Sequence, residues 1–227
     1  AMVENDKSIP TSKEKVVIFP TCFVNYNNPN LGLVAKKIFQ KLKIDHQFFY
    51  DVCCGMPQLE GGDIQSVKEK AESTSSKLKQ YIDEGYKVIS IVPSCSLMIK
   101  YEWPLLIPDS DNIKYLSNNT YDICEYLVKY INNNSLSNLI KPIDENETIT
   151  LHISCHSRAQ NIGQKATELL RLIPKIKLDV IERCSGHGGS WGVKKDNFKM
   201  ALKVGKPVSR IAIQIKNKYV VSECPLA

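Results

Sequence analysis

The chain has 227 residues, 43% of them apolar, which is enough to bury a substantial core. Thirty Lys and Arg against 24 Asp and Glu give a net charge of +6, with no arginine-rich tract and no nucleic-acid motif. This composition excludes nucleic acid as the expected partner and leaves a weak attraction to an acidic membrane face or an acidic protein.

The expected location of the protein follows from two kinds of segment, a membrane-spanning run and a secretory leader. No apolar run is long enough to span a bilayer, and residues 1–15 are too polar for a secretory leader. We therefore expect a cytoplasmic protein, either free or in peripheral contact with the cytoplasmic membrane face. In that compartment, eight cysteines indicate metal ligation or thiol chemistry rather than a disulfide framework.

The first half of the chain alternates predicted strands with predicted helices, and cysteines follow the strands. In chain order the predicted elements are strand Lys15–Cys22, helix 31–42, strand Gln47–Val52 running into Cys53-Cys54-Gly55, helix Ile64–Ile82 and strand Lys87–Cys95. A connector over 101–147 follows, with a predicted helix at Tyr121–Asn132.

The second half repeats this order. Its predicted elements are strand Thr148–Cys155, helix Gln164–Leu172, strand Lys177–Arg183 running into Cys184, a helical segment Asp196–Lys216 interrupted by Gly205 and Pro207, and strand Tyr219–Cys224. The partner cysteines of the two halves are 133, 131 and 129 residues apart. Such similar offsets indicate an internal duplication, with a first domain over 15–132 that includes the connector helix and a second domain over 148–227.

Alternating strands and helices predict an α/β fold of two tandem, pseudo-symmetric repeats, each with a short parallel sheet. Ligands of such sheets bind at the carboxyl ends of the strands, where the repeat cysteines lie. The fold itself is thus expected to bring the cysteines of each repeat together. By contrast Cys124 lies on the apolar stripe of the connector helix, and we expect it to pack as a small apolar side chain.

The first repeat offers four soft thiolates, Cys22, Cys53, Cys54 and Cys95. Four thiolates suit either an iron–sulfur cluster or a tetrahedral zinc ion. Side chains of adjacent residues point apart in an extended strand, so Cys53 and Cys54 are used more readily by a centre with several metal atoms. This spacing favours a cluster in the first repeat.

The second repeat has three aligned cysteines, Cys155, Cys184 and Cys224, and Ser185 stands where the first repeat has Cys54. Three histidines occur beside these cysteines, at positions His152, His156 and His187. Each is a candidate metal ligand or proton donor. A mixed thiolate and imidazole site in this half suits zinc or a modified cluster.

Longer motifs resemble the CCG, or cysteine-rich, domain family over about residues 15–227. The motifs are PSCSLMIKYEWP (93–104), HISCHSRAQNIGQKATELLRLIP (152–174), ERCSGHGGSWGVKK (182–195), KVGKPVSR (203–210) and SECPLA (222–227). The likeness is greatest to the carboxy-terminal half of the family member found in anaerobic glycerol-3-phosphate dehydrogenase, and the family member found in heterodisulfide reductase is related.

This resemblance implies an electron-transfer subunit with iron–sulfur clusters, of the 4Fe-4S type, on the seven cysteines already named. It implies a flavin-containing dehydrogenase and ferredoxin-type clusters as partners, and a quinone or thiol compound as acceptor. The alternatives are a heterodisulfide-reductase-like thiol–disulfide reductase and a structural module that binds zinc in one or both sites.

The chain departs from the family pattern at three places. The fuller pattern ends each repeat with Cys-x-x-Cys, but here Cys95 is followed by Ser96-Leu97-Met98 and Cys224 by Pro225-Leu226-Ala227. Ser185 also breaks the second CCG. The five-cysteine arrangement of the family is therefore incomplete in both repeats, which weighs against direct disulfide reduction.

Overall fold

The computed structural model describes residues 12–144, 147–189 and 191–225. The chain separates into two compact units, of which the first ends at Ile123 and the second begins at Cys124. Each unit alternates parallel strands with helices, so the predicted α/β class with two tandem repeats is confirmed. The predicted limits, 15–132 for the first repeat with its connector helix and 148–227 for the second repeat, stay a prediction.

The first unit contains a four-stranded parallel sheet with the order β2-β1-β3-β4. Its strands are β1 (Lys15–Phe19), β2 (Asp45–Phe48), β3 (Tyr86–Ser90) and β4 (Thr120–Asp122). The apolar run at 16–19 in β1 is completely buried, as expected for a strand that has neighbours on both edges and is covered on both faces.

Helices cover the faces of this sheet. They are α1 (Thr21–Tyr26), α2 (Pro29–Lys41), α3 (Met56–Glu60), α4 (Ile64–Asp83), α5 (Pro93–Leu97), α6 (Trp103–Leu106) and α7 (Asp111–Asn118), with a π-helical turn (Met98–Glu102) between α5 and α6. The longest, α4, is capped by Asp63, whose carboxylate accepts a hydrogen bond from the Ser66 amide. Its apolar stripe of Val67, Ala71 and Leu78 is buried in the core.

The second unit contains a three-stranded parallel sheet with the order β6-β5-β7. Its strands are β5 (Thr148–His152), β6 (Lys177–Ile181) and β7 (Tyr219–Ser222), and its helices are α8 (Ile123–Asn133, which starts at the unit boundary), α9 (Cys155–Ala159), α10 (Lys165–Arg171) and α11 (Phe198–Ile215). A 3-10 turn lies at Ser137–Leu139. In both units the first strand lies between the second and the third, which is the arrangement expected of a duplication.

The strands are shorter than the sequence pattern predicts. The first ends at Phe19 because Pro20 has no N–H for a sheet ladder, and Cys22 lies in α1. The third ends at Ser90, and Pro93 opens a helix that contains Cys95. These two cysteines thus lie in helical turns just beyond the strands rather than at the last strand positions.

The connector and the last helix also differ from prediction. Residues 120–122 form β4, which pairs with β3, and the helix predicted from Tyr121 begins at Ile123. α11 continues through both Gly205 and Pro207 instead of breaking there. Pro207 removes one hydrogen bond from this helix.

None of the helices in the described ranges is long and apolar enough to cross a bilayer.

Candidate metal centre

All four cysteines of the first unit lie beyond the carboxyl ends of neighbouring strands. Cys22 is in the first turn of α1 after β1, Cys53 and Cys54 are in the loop after β2, and Cys95 is in α5 after β3. Parallel pairing of β2, β1 and β3 carries these segments to one edge of the sheet. Cys54 and Cys95 are buried, while Cys22 and Cys53 are half-buried.

The four thiols interact with one another. The Cys22 thiol donates a hydrogen bond to Cys53, with 3.6 Å between the two sulfur atoms. The Cys54 thiol also bonds to Cys53 and contacts Cys95. Sulfurs that bind one zinc ion at about 2.3 Å lie roughly 3.8 Å apart, so the Cys22 and Cys53 sulfurs are close enough to bind the same metal atom.

These contacts lower the pKa of one thiol, Cys53, and raise the pKa of two others, Cys22 and Cys54. The hydrogen bonds from Cys22 and then Cys54 hold the pKa of Cys53 well below that of an ordinary thiol, and the Gly55 amide and Lys70 act in the same direction. The hydrogen bond to Cys53, followed by burial, raises the pKa of Cys22. Hydrogen bonds to Cys53 and Cys95, followed by burial, raise the pKa of Cys54. Without a metal, the negative charge of these four cysteines therefore lies on Cys53.

The backbone around Cys53 and Cys54 is held from three sides. Gly55 has a φ of +89°, a left-handed conformation that glycine adopts without strain, and this turn leads directly into α3. The indole N–H of Trp103 donates to the carbonyl oxygen of Cys54 at 3.0 Å, and Trp103 itself is completely buried. On the other side of the cysteine pair, Lys77 of α4 forms an ion pair with Asp51 at 2.7 Å.

The cysteines of the second unit occupy corresponding places. Cys155 is the first residue of α9, Cys184 lies three residues after β6, and Cys224 lies two residues after β7. Cys155 and Cys184 are exposed and Cys224 is half-buried. The Cys184 sulfur accepts a hydrogen bond from the Gly186 amide at 3.3 Å.

The three candidate histidines have different surroundings. His152, the last residue of β5, is 3% exposed. Its Nε2 lies 2.7 Å from the carbonyl oxygen of Arg183, and its Nδ1 lies 2.9 Å from the Ser222 hydroxyl. His156 on α9 and His187 in the loop after β6 are both half-buried.

The glycine-rich loop after Cys184 packs directly against helix α11. A Cβ atom at Gly186 would lie 2.1 Å from the Ala201 carbonyl oxygen, and one at Gly205 would lie 2.4 Å from the Ser185 carbonyl oxygen. A Cβ atom at Gly192 would lie 2.5 Å from the His187 carbonyl oxygen. These glycines therefore serve close backbone packing next to Cys184.

The donor chemistry of the first unit fits a thiophilic metal centre, because its four thiols are linked by pairwise contacts and soft metals prefer thiolate ligands. The second unit offers three thiols and two half-buried imidazoles, a weaker match. Across residues 12–144, 147–189 and 191–225, no three His, Cys, Asp or Glu side chains are arranged to hold a single metal ion. All eight cysteines lie in these ranges, and none forms a disulfide.

Cys124 lies apart from the predicted ligands, and two sets of polar contacts lie beyond what the sequence predicts. Cys124 packs beside the apolar cluster of Leu151 and Ile153, as predicted. Sequence reasoning missed the Trp103 hydrogen bond and the polar contacts of Ser222. Both join residues far apart in the chain, and neither spacing nor periodicity signals such contacts.

A model of the cysteine-rich (CCG) domain matches residues 16–100 and 149–226. One subunit of the anaerobic glycerol-3-phosphate dehydrogenase of Escherichia coli (strain K12) is 27% identical over 93% of this chain and 53% of its own length. One subunit of the fumarate reductase (CoM/CoB) of Methanothermobacter marburgensis is 26% identical over 93% of this chain and 40% of its own length. Lactate utilization protein A of Bacillus subtilis (strain 168) is 26% identical over 79% of this chain and 75% of its own length.

The chain thus spans about half the length, or less, of the first two relatives. The two matched segments coincide with the two repeats, and each contains the cysteines that follow the strands of one sheet. On this match, the chain belongs to the cysteine-rich (CCG) domain family, of which it carries two copies in tandem.

Proposed function

We propose that this chain is an iron–sulfur electron-transfer subunit of an anaerobic-type flavin dehydrogenase complex that relays electrons to a quinone. The observation that carries the proposal is a chain of three pairwise thiol contacts in the first unit, Cys22–Cys53, Cys53–Cys54 and Cys54–Cys95. Thiolates are the ligands that iron–sulfur clusters use, and a bound cluster, of 4Fe-4S type in this proposal, supplies one-electron chemistry.

The residues of the first unit prepare this site in three ways. Trp103 fixes the carbonyl of Cys54, and Asp51 is anchored to α4, so the cysteine pair is held in place before a metal arrives. Burial of Cys54 and Cys95 keeps water from their sulfurs. Because their pKa values are raised, Cys22 and Cys54 keep their protons when no metal is bound. Binding of a metal to these two sulfurs would therefore release protons.

The second unit forms the other site of the proposal. Its candidate ligands are Cys155, Cys184 and Cys224, with zinc as the alternative occupant of this site. His156 and His187 are proposed as ligands or as proton donors to a reduced acceptor. The named relatives include components of a dehydrogenase and of a reductase, which supports a flavin-containing dehydrogenase partner and ferredoxin-type clusters as the electron source.

The experiment is a measurement of metal and acid-labile sulfide on protein purified without oxygen, with electron paramagnetic resonance before and after reduction. The proposal expects iron and sulfide in about equal amounts, near four of each per occupied site, and a signal that changes on reduction. Zinc without sulfide in protein never exposed to air would contradict electron transfer, since zinc has no redox chemistry, and would leave a structural module.

We also propose peripheral contact with an anionic membrane on the cytoplasmic side, on the basis of where the charge lies. Residues 194–218 hold eight Lys and Arg against one acidic residue, whereas the rest of the chain has 22 basic against 23 acidic residues. Four of these basic side chains are exposed on α11, namely Lys199, Lys203, Lys206 and Arg210. Such a cluster attracts anionic lipid within about 10 Å at moderate salt.

Sedimentation with vesicles tests this contact. We expect binding to vesicles that contain phosphatidylglycerol, little binding to phosphatidylcholine alone, and loss of binding in high salt. Replacing Lys199, Lys203 and Lys206 by Gln should abolish binding. The matched control replaces three exposed lysines of α2, Lys36, Lys37 and Lys41, and should bind as the unchanged protein does. Equal loss in both variants would contradict a specific surface.

A further inference from the structure

A network of hydrogen bonds in the second unit converges on His152. This residue ends the central strand β5, so β6 lies on one side of it and β7 on the other. Its Nε2 reaches the Arg183 carbonyl at 2.7 Å, directly before Cys184. Its Nδ1 reaches the Ser222 hydroxyl at 2.9 Å, two residues before Cys224. One buried ring thus joins the segments that lead to two candidate ligands.

The hydrogen-bond partners of His152 indicate which ring nitrogen donates. A carbonyl oxygen only accepts hydrogen bonds, so the Nε2 atom of His152 carries the hydrogen and donates it to Arg183. In the Nε2–H tautomer, the Nδ1 atom has a lone pair and accepts from the Ser222 hydroxyl. The same hydroxyl oxygen accepts a hydrogen bond from the Cys224 amide at 3.2 Å, which extends the network to the backbone of that cysteine.

A second set of hydrogen bonds lies next to the third candidate ligand, Cys155. The Ser154 amide donates to the Glu223 carboxylate at 3.2 Å, and the Ser154 hydroxyl caps α9 by accepting from the Ser157 amide at 3.1 Å. Cys155 is the first residue of that helix. Segments next to all three candidate ligands of the second unit are therefore joined by hydrogen bonds at one end of the sheet.

The first unit has no such histidine at this place. The duplication offset of 133 residues makes Phe19 the counterpart of His152, and Phe19 is completely buried in the apolar core. There the cysteine loop is held instead by the Trp103 indole. The two repeats thus hold corresponding loops by different means.

We propose that His152 is a positioning residue: as the Nε2–H tautomer it sets the Cys184 and Cys224 loops for metal binding, without itself binding the metal. Both of its ring nitrogens already bond to protein groups, so metal ligation would have to break one of these bonds. The metal-binding part of this proposal rests on the function proposed for the second unit. The tautomer and the hydrogen bonds do not.

The first test is nitrogen NMR on metal-free, ¹⁵N-labelled full-length protein. The expected spectrum has a protonated Nε2 and an unprotonated Nδ1 for His152, together with slow exchange of the Cys224 amide hydrogen. Ser222→Ala should speed exchange of that amide and leave the Nε2–H signal in place. A protonated Nδ1 with an unprotonated Nε2 would overturn the proposal, and this outcome does not depend on any metal.

The second test measures Co²⁺ binding in a Cys53→Ser/Cys54→Ser background, so that only the second unit contributes its full set of thiols. In His152→Phe, which has the side chain of the first repeat, we expect affinity to fall about 10- to 100-fold, the usual loss when a partner that orients a ligand is removed. The thiolate-to-cobalt absorption bands at saturation should keep their shape. His152→Gln retains a donor near the Nε2 position and should recover part of the affinity.

Three results would overturn the positioning role. Unchanged Co²⁺ affinity in His152→Phe would show that the network does not affect the site. Altered cobalt bands at saturation would show that His152 is itself a ligand. Absence of Co²⁺ binding to the parent variant would remove the metal site of the second unit, and with it the metal role of His152, while the NMR result would still decide the tautomer.

Discussion

At the scale of single residues, the first unit depends on one glycine for the direction of its cysteine loop. Gly55 turns the chain from Cys54 into α3 with a φ of +89°, and a Cβ atom there would lie 3.3 Å from a methyl group of Val67. Because glycine has no side chain, it adopts this backbone conformation without strain and leaves room for Val67. The glycine of the CCG motif is therefore a requirement of backbone geometry at the cysteine pair.

We expect Gly55→Ala to lower the free energy of unfolding by about 1–2 kcal/mol from the left-handed backbone alone, with an additional loss from crowding against Val67. Denaturant unfolding of metal-free protein measures this change. Gly62→Ala is the matched control, because Gly62 also has a positive φ of +81° but its Cβ would meet nothing within 4 Å. An equal loss in both variants would show that the contact with Val67 has no effect.

The thiol contacts predict a difference in reactivity between Cys53 and Cys22. Since the pKa of Cys53 is lowered and that of Cys22 is raised, Cys53 is a thiolate at a pH where Cys22 is still protonated. In metal-free protein at about pH 6, iodoacetamide should modify Cys53 much faster than Cys22, as followed by peptide mass spectrometry.

Cys22→Ala removes the largest cause of the low pKa, so Cys53 should then require a higher pH for the same rate of alkylation. Faster modification of Cys22 than of Cys53 in the unchanged protein would contradict the assigned direction of the hydrogen bond between them.

At the scale of elements, glycines allow helix α11 to pack closely against the loop that begins at Cys184. Its Gly205 faces the Ser185 carbonyl, and Gly186 of the loop faces the Ala201 carbonyl of the helix. Paired glycines allow the two backbones to approach more closely than any side chain permits. The backbone of the loop that begins at Cys184 therefore packs directly against the backbone of α11.

Gly205→Ala should therefore disturb the Cys184 loop, since its Cβ would lie 2.4 Å from a backbone oxygen. We expect a loss of about 1–3 kcal/mol in the free energy of unfolding, typical of overpacking, and weaker Co²⁺ binding by the second unit. Ser209→Ala, on an exposed position of the same helix, is the control and should leave both quantities nearly unchanged. Wild-type stability of Gly205→Ala would contradict the tight contact.

At the scale of the whole molecule, the two units share one strand order but differ in their donor groups. The first strand is flanked by the second and the third in both sheets. The first unit links four thiols by pairwise contacts, whereas the second unit has three thiols at its strand ends, two of them exposed. The two units thus share a scaffold and differ in the donor groups at their strand ends.

Substitutions in one unit should therefore remove metal from that unit alone. Cys53→Ser/Cys54→Ser is expected to abolish the iron and sulfide of the first unit and to leave metal bound by the second, as measured by elemental analysis of anaerobically purified protein. Cys124→Ser is the control, since Cys124 packs against apolar side chains of the second unit and is not a proposed ligand. Equal loss of metal in the control would contradict the assigned ligands.

The α/β class, the two repeats and the cysteines that follow each strand could all be predicted from the amino-acid order, because strand and helix patterns and repeat spacing are local properties of the chain. The three-dimensional fold was needed to show which thiols touch, that Trp103 holds Cys54, and that His152 joins Arg183 to Ser222. These contacts join residues 31 to 70 positions apart. Their formation depends on how the sheet brings its strand ends together, which no short sequence pattern records.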